Sequence, residues 1–244
     1  MTISQPLIRT LTRISLTLVA AALLSSVSHT EEVPRNERVL TQAEQARLTP
    51  EQVVSILKAG NERYVSGVVT KRDHSKLVRD AVDGQFPKAI ILSCIDSRIP
   101  TEDVFDLGIG DLFVARIAGN FANTDIVGSM EFACKVSGSK LVLVLGHENC
   151  GAVKGAINHV ELGNITHMLK NIQPAVEQAG EGFDGEQEVA NPAFVEMVVE
   201  KNVRLAMAKI RATSPILKDM EKSGDVRIVG AVYHMNSGTV TFLK

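Results

Sequence analysis

The sequence has no tryptophan, only two tyrosines and no excess of positive charge. Its 26 Lys and Arg residues are balanced by 28 Asp and Glu residues, and no basic block stands out. Proteins that bind nucleic acid usually have a clustered basic surface and aromatic side chains for base stacking, so we expect no nucleic-acid partner. Cysteine is also scarce. Three cysteines in 244 residues do not indicate a disulfide framework, which leaves them for metal binding or burial.

No apolar run reaches the roughly 20 residues that span a bilayer. The apolar run at residues 14–24 follows Arg9 and Arg13 and precedes a stretch of small residues. A basic start, a short apolar run and small residues are typical of a secretory signal peptide, although an uncleaved amphipathic helix is the alternative. We predict a cleaved signal peptide at 1–28 and an N-terminal arm at 29–48. The mature protein is expected to be exported, to the periplasm, and not to bind the membrane.

Apolar runs alternate with helical patterns along the rest of the chain. The predicted strands cover residues 88–93, 112–116, 141–145, 226–232 and 239–243. The predicted helices cover residues 49–64, a short segment from 100, and 125–136, 152–158, 165–179 and 193–212. Strands that are apolar throughout and separated by helices predict a parallel sheet covered on both faces. We therefore predict one α/β domain over 49–244, with about four parallel strands, an antiparallel edge strand and flanking helices.

Three functional side chains follow the first predicted strand in the pattern C-x-D-x-R. Cys94, Asp96 and Arg98 lie just after its carboxyl end, which is where open α/β sheets bind ligands. Cys94 is a soft metal ligand, Asp96 is an oxygen ligand or base, and the Arg98 guanidinium can hold that carboxylate.

The third predicted strand ends in the pattern H-x-x-C, formed by His147 and Cys150. Neighbouring strands lie about 4.8 Å apart, so Cys94 can converge on this pair. Two thiolates and one imidazole favour zinc, and three protein ligands leave a fourth position open, as in catalytic zinc sites. Each motif alone has a simpler interpretation: a buried core cysteine, a chance H-x-x-C, or a surface ion pair between Asp96 and Arg98. Their conjunction favours the metal site.

The remaining cysteine and histidines are not predicted ligands. Cys134 lies inside a predicted helix and is expected to be a buried small hydrophobic residue. His74, His159, His167 and His234 lack partners at ligand spacing.

Four motifs together resemble the β-class carbonic anhydrases, over most of residues 50–244. They are GNERY at 60–64, CIDSRIP at 94–100, RIAGN at 116–120 and GHENCGAV at 146–153. The resemblance implies one Zn²⁺ per chain on Cys94, His147 and Cys150, with Asp96 as a fourth ligand in a closed form. In an open form Asp96 would lie beside the zinc-bound water, drawn from the metal by Arg98. It also implies homodimers or homotetramers with active sites near the interface.

The expected reaction is the reversible hydration of CO2 to bicarbonate and a proton, through zinc-bound hydroxide. Asp96 would orient the hydroxide or accept its proton, and we expect Phe113, Val127 or Val153 to hold CO2. Glu148 stands where many relatives have a small polar residue, so its carboxylate is expected to alter the rim of the site. Because the chain has no tryptophan, we do not predict an inhibitory bicarbonate pocket.

Three alternatives stay open at this point. The same fold could hydrolyse carbonyl sulfide or carbon disulfide. A non-catalytic zinc protein would have its site closed permanently by Asp96. A cysteine-nucleophile hydrolase using Cys94 and His147 is disfavoured, because it gives Cys150 no role.

Overall fold

A computed structural model describes residues 38–244. The five strands are β1 Ala89–Ser93, β2 Leu112–Arg116, β3 Leu141–His147, β4 Arg227–Tyr233 and β5 Val240–Phe242. The α-helices are α1 Gln42–Arg47, α2 Pro50–Ser66, α3 His74–Asp80, α4 Thr101–Val104, α5 Thr124–Glu131, α6 Gly151–Ile157, α7 Gly163–Leu169, α8 Gln173–Gly180, α9 Pro192–Thr213 and α10 Pro215–Ser223. Among residues 38–244, no helix has both the length and the apolar character needed to cross a bilayer.

The strands form one sheet in the order β2-β1-β3-β4-β5. The first four are parallel, and β5 runs antiparallel to β4 at the edge. This confirms the predicted fold class. Because β1 lies between β2 and β3, the chain segments that follow these three strands emerge side by side at one edge of the sheet. Ser93, the last residue of β1, pairs with Arg116 on one side and Leu145 on the other.

Alternation along the buried strands divides the core between the two faces of the sheet. Ile90 and Leu92 pack into one cluster with α5, α9 and α10, whereas Ala89 and Ile91 pack into another with α2 and α4. A third cluster lies beyond the carboxyl ends of the strands, beneath α8 and α9, and it contains Cys94. Strands that are apolar on both faces require helices on both faces of the sheet, because an uncovered face would expose apolar side chains to water.

The structure differs from the sequence prediction in several elements. The predicted helix at 165–179 is two helices, since Pro174 starts the first turn of α8. Segment 71–87, predicted to be a connection, contains α3, which Asp73 caps by accepting the Lys76 amide. Helix α10 was not predicted at all. The hydroxyl of Ser214 accepts the Leu217 amide at its start, and Leu217 is fully buried.

Two further differences affect the helix after β2 and the end of β3. The predicted helix at 125–136 ends in a π-helical turn, Phe132–Val136. Strand β3 continues two residues beyond the predicted end, through Gly146 to His147, because both pair with β4. The predictions for residues 1–28 and 29–37 lie outside the described residues, and α1 lies in the rest of the predicted arm.

Candidate metal centre and active site

Cys94 follows β1 directly and is buried within the third cluster. The Gly119 amide donates a hydrogen bond to its Sγ at 3.3 Å. Gly119 has a φ of 81°, a left-handed conformation that favours glycine, and an added Cβ would lie 2.3 Å from Ile172 Cδ1. The Asn202 side chain donates to the Gly119 carbonyl at 2.7 Å and fixes this turn. The sulfur of Cys94 is therefore held in place by backbone from the segment after β2.

His147 and Cys150 enclose a tight turn at the carboxyl end of β3. His147 is the last residue of the strand, and Cys150 is the residue that precedes helix α6. Between them Asn149 has a φ of 53°, a left-handed conformation that asparagine tolerates better than most residues. We call residues 147–150 the ligand loop. Both His147 and Cys150 are buried.

The three predicted ligands converge. One donor atom from each of Cys94, His147 and Cys150 lies within 4.8 Å of the other two. No other group of three such side chains among residues 38–244 is close enough to hold a metal ion. The Nδ1 atom of His147 is 2.8 Å from the Glu148 carbonyl, an interaction that requires Nδ1–H. In that tautomer Nε2 carries no hydrogen, and its lone pair is available to a metal ion. Among the described residues Nε2 has no hydrogen-bond partner.

Two sulfurs and one imidazole nitrogen form a donor set that fits zinc, with room for a fourth ligand. Hydrogen bonding from Cys150 and from the Gly119 amide lowers the pKa of the Cys94 thiol. The hydrogen bond with Cys94 and burial both raise the pKa of the Cys150 thiol. Ionisation of one thiol of this pair therefore disfavours ionisation of the other, and a bound cation would favour the form in which both are thiolates.

The Asp96 carboxylate lies beside this donor set and is held by Arg98. Arg98 Nε donates to Oδ1 at 2.9 Å, Nη2 donates to Oδ2 at 2.7 Å, and the Arg98 amide donates to Oδ1 at 3.0 Å. Oδ2 is 3.9 Å from His147 Nε2. The Arg98 hydrogen bonds hold the pKa of Asp96 well below its usual range, so the group is a carboxylate at neutral pH.

Arg116 is a site residue whose role the sequence analysis missed. It ends β2 opposite Ser93, and its guanidinium donates to the Cys94 carbonyl at 2.8 Å and the Asp96 carbonyl at 2.6 Å. It thus fixes the backbone of the C-x-D-x-R motif. Arg116 opens the RIAGN motif, which was the available signal, but contacts to backbone carbonyls cannot be deduced from residue spacing.

Comparison with known proteins decides the family. A family model described as "Carbonic anhydrase" matches residues 89–240, well over half of the chain. The chain belongs to the β-carbonic anhydrase family. Members of this family are zinc-dependent lyases that hydrate CO2, and the convergent Cys94, His147 and Cys150 are consistent with that chemistry.

Individual relatives agree with this assignment. The chain is 34% identical to "Carbonic anhydrase 2" of Mycobacterium tuberculosis, over 75% of this chain and 87% of the relative. It is 30% identical to a carbonic anhydrase of Mycolicibacterium smegmatis, over 75% of this chain and 88% of the relative. The crystal structure of the β-carbonic anhydrase CafA of Aspergillus fumigatus matches with 27% identity and a TM-score of 0.63, over 70% of this chain and 82% of CafA.

The Glu148 carboxylate, which was expected to alter the rim of the site, contacts the segment that follows β4. It accepts hydrogen bonds from the His234 ring and the Met235 amide. Burial alone would raise the pKa of Glu148, but these two contacts outweigh it and the pKa is lowered. His234, for which the sequence offered no partner, is therefore paired with the acid that lies inside the ligand loop.

The three apolar residues expected to hold CO2 are not together in this chain. Val153 packs with Cys94 and Cys150 in the third cluster. Phe113 and Val127 belong to the cluster on one face of the sheet. Only Val153 therefore adjoins the metal ligands in one chain. Cys134 is buried as predicted, and burial raises the pKa of its thiol to about 12, which leaves it unreactive.

Proposed function

We propose that Cys94, His147 and Cys150 bind one zinc ion in this chain and that Asp96 and Arg98 serve the hydration of CO2 at it. The observation that supports this assignment is the convergence of three donor atoms within 4.8 Å beside an ionised carboxylate. Zinc supplies a Lewis acid that makes water nucleophilic near neutral pH. The protein must then orient that water, accept its proton and present uncharged CO2 to it.

Asp96 orients the attacking water and accepts its proton. An ionised carboxylate only accepts hydrogen bonds, and this one is 3.9 Å from the nitrogen donor of His147. Arg98 binds both carboxylate oxygens and so draws the group away from the metal position. In this arrangement Asp96 is available as a base, which is the open form of the site. The closed form would require Asp96 to exchange its bonds with Arg98 for a metal bond.

Apolar side chains around the site suit CO2, which is uncharged and a poor hydrogen-bond acceptor. Val153 supplies one such surface next to the two cysteines. Ile95, between Cys94 and Asp96, is 61% exposed in the single chain. An apolar side chain that is exposed beside a catalytic carboxylate favours a site completed by a second copy of the chain.

We further propose that the protein is a homo-oligomer, a dimer or a tetramer. Strand β2 is an edge strand of the sheet, and edge strands readily pair with other chains. Near it the ring of Phe113 packs edge-on against Phe132, which is 50% exposed, and Val136 on the same turn is 70% exposed. We call Phe113, Phe132 and Val136 the β2-edge patch. A patch of this kind is suited to burial against an identical patch.

Export to the periplasm is also a proposal. Its support is the basic, apolar and small-residue pattern of residues 1–28. Expression of the full chain followed by cell fractionation and N-terminal sequencing tests it. We expect a periplasmic protein whose N-terminus lies near residue 29. A cytoplasmic product that retains Arg9 and Arg13 would contradict it.

Stopped-flow CO2 hydration tests the central proposal. We expect activity in the zinc-loaded protein, its loss after chelation, and its return when zinc is restored. Carbonyl sulfide serves as a second substrate in the same assay. A protein that binds zinc but hydrates no CO2 would contradict the proposal, and turnover of carbonyl sulfide alone would identify the alternative hydrolase.

A further inference from the structure

Glu148 lies inside the ligand loop, but its side chain points to a different element. Its carboxylate contacts the connection at 234–239; we call β4, β5 and this connection the β4–β5 hairpin. Oε1 is 2.7 Å from His234 Nδ1, and Oε2 accepts the Met235 amide at 2.8 Å. In addition, the Glu148 amide donates to the Tyr233 carbonyl at 3.1 Å. Three hydrogen bonds therefore attach this single residue to the hairpin.

The attachment continues beyond His234. The Nε2 atom of His234 is 2.8 Å from Thr241 Oγ1 on β5, and the His234 amide donates to the Thr239 carbonyl at 2.9 Å. The imidazole thus has a partner at each ring nitrogen, an acid on one side and a hydroxyl on the other. It forms a continuous hydrogen-bonded connection from the ligand loop to the edge strand of the sheet.

The other side of Glu148 faces the metal centre through its backbone. Its carbonyl oxygen is the partner of His147 Nδ1 at 2.8 Å, the contact that leaves His147 Nε2 free to bind a metal. The position of the Glu148 peptide therefore sets the orientation of the His147 ring. Groups that orient ligating histidines in this way affect metal affinity although they never touch the metal.

We propose that Glu148 is a positioning residue for the metal centre, which acts by attaching the ligand loop to the β4–β5 hairpin through His234. This inference rests on the proposed zinc site. It assigns a role to an acid whose carboxylate binds the β4–β5 hairpin, and to the histidine that follows β4. The role is specific: the pair fixes the direction of the His147 donor atom.

Zinc affinity and the spectrum of the cobalt-substituted protein test the proposal, because a residue that only stabilises the fold would alter neither. The variants are Glu148→Ala, Glu148→Gln and His234→Leu. The matched control is Glu196→Ala, since Glu196 lines the same cavity of about 160 Å³ as Glu148 and His234. Zinc affinity is measured by competition with a chromophoric chelator, and the visible absorption of bound Co²⁺ reports the geometry of the ligands.

We expect Glu148→Ala to weaken zinc binding by about 10- to 100-fold and to change the Co²⁺ absorption bands. Glu148→Gln keeps the size of the side chain and an acceptor oxygen, so its loss of zinc affinity should be smaller. His234→Leu should also weaken zinc binding. A variant that combines Glu148→Ala with His234→Leu should bind zinc as tightly as Glu148→Ala alone, since both substitutions break the same connection. The control should stay within about twofold of wild type.

Two results would overturn the inference. The first is a folded Glu148→Ala protein with wild-type zinc affinity and an unchanged Co²⁺ spectrum. The second, if Glu148→Ala does not fold, is a folded His234→Leu protein that binds zinc as tightly as the control. A wild-type protein that binds no zinc would instead contradict the proposed function, so the two failures are distinguishable.

Discussion

Arg98 contacts both halves of the proposed centre. Its guanidinium binds the Asp96 carboxylate, and Nη2 also lies 3.4 Å from the carbonyl of Asn149 in the ligand loop. Arg116 binds two carbonyls of the first motif from a different strand. Two arginines therefore hold the Asp96 carboxylate and the backbone of its motif. At the residue scale, the chemistry of the site depends on where these cations hold Asp96.

Asp96→Asn tests whether the carboxylate is the base. Asparagine keeps the shape but cannot accept a proton at neutral pH, so we expect CO2 hydration to fall by about 100-fold or more while zinc content stays at one ion per chain. Stopped-flow assay and metal analysis of the same samples measure both. Asp103→Asn, at an exposed position of α4, is the control. Full activity in Asp96→Asn would remove Asp96 from the mechanism.

Asp106 provides a test of electrostatic stability away from the metal. It is buried, it accepts hydrogen bonds from Thr70, and it pairs with Arg63 and Arg72. Burial would raise the pKa of Asp106, but these partners outweigh burial and lower it. A lowered pKa in the folded state means that the charged group stabilises the fold above the unfolded pKa of about 4, and that this contribution is lost as pH falls further.

Asp106→Asn removes the charge and retains a residue that tolerates the φ of 46° at this position. We expect a loss of about 3 kcal/mol in the free energy of unfolding at pH 7, because two arginines lose their buried partner. Urea unfolding is measured from pH 7 to pH 3.5. The difference in the free energy of unfolding between Asp106→Asn and wild type should begin to narrow below about pH 4. Exposed Asp219→Asn is the control. A gap that does not change with pH would contradict the electrostatic account.

At the scale of elements, side chains of the GNERY motif attach α2 to neighbouring elements. The Asn61 side chain donates to the carbonyls of Val104 and Gly238 and accepts the Val240 amide, so it joins α4 to the β4–β5 hairpin. Arg63 pairs with Asp106 just after α4. A motif that carried part of the family resemblance therefore serves the packing of α2 against the sheet.

Gly60→Ala tests how closely α2 approaches the segment after α4. An added Cβ would lie 1.8 Å from the carbonyl oxygen of Phe105 and 2.7 Å from its carbon, and both are backbone atoms that cannot rotate away. We expect a loss of about 3 kcal/mol in chemical denaturation, at the upper end for overpacking. The control is Gly128→Ala in α5, where the added Cβ has nothing within 4 Å. Gly128→Ala should stabilise the protein by up to about 1 kcal/mol. Equal changes in stability in Gly60→Ala and Gly128→Ala would contradict the account.

The sequence predicted the elements whose signals are local. Largely apolar runs identified β1 to β4, β5 was predicted at 239–243, and residue type and spacing singled out Cys94, His147, Cys150 and the Asp96–Arg98 pair. Much of what it missed depends on tertiary contacts, although α3 and α10 begin at local capping residues, Asp73 and Ser214. Strand β3 gained Gly146 and His147 because they pair with β4. The Glu148–His234 contact joins residues 86 positions apart, which no spacing rule could detect.

At the scale of the whole molecule, one side of β2 has no partner strand among residues 38–244, and Phe132 and Val136 of the β2-edge patch are exposed. Light scattering coupled to size exclusion should give a mass of two or four copies. Val136→Glu places a charge in the patch and should shift the mass toward one copy, with a loss of CO2 hydration if the interface completes the site. Val82→Glu is the control, because Val82 is 76% exposed on another part of the surface. An unchanged mass in Val136→Glu would exclude this patch as the interface.

X-ray absorption at the zinc edge of the purified protein tests the central claim most directly, because it identifies the ligands without depending on activity. The account predicts two sulfur ligands at about 2.3 Å and one imidazole nitrogen at about 2.0–2.1 Å from the metal, from Cys94, Cys150 and His147. A zinc ion surrounded by nitrogen and oxygen alone would contradict the assignment of this centre.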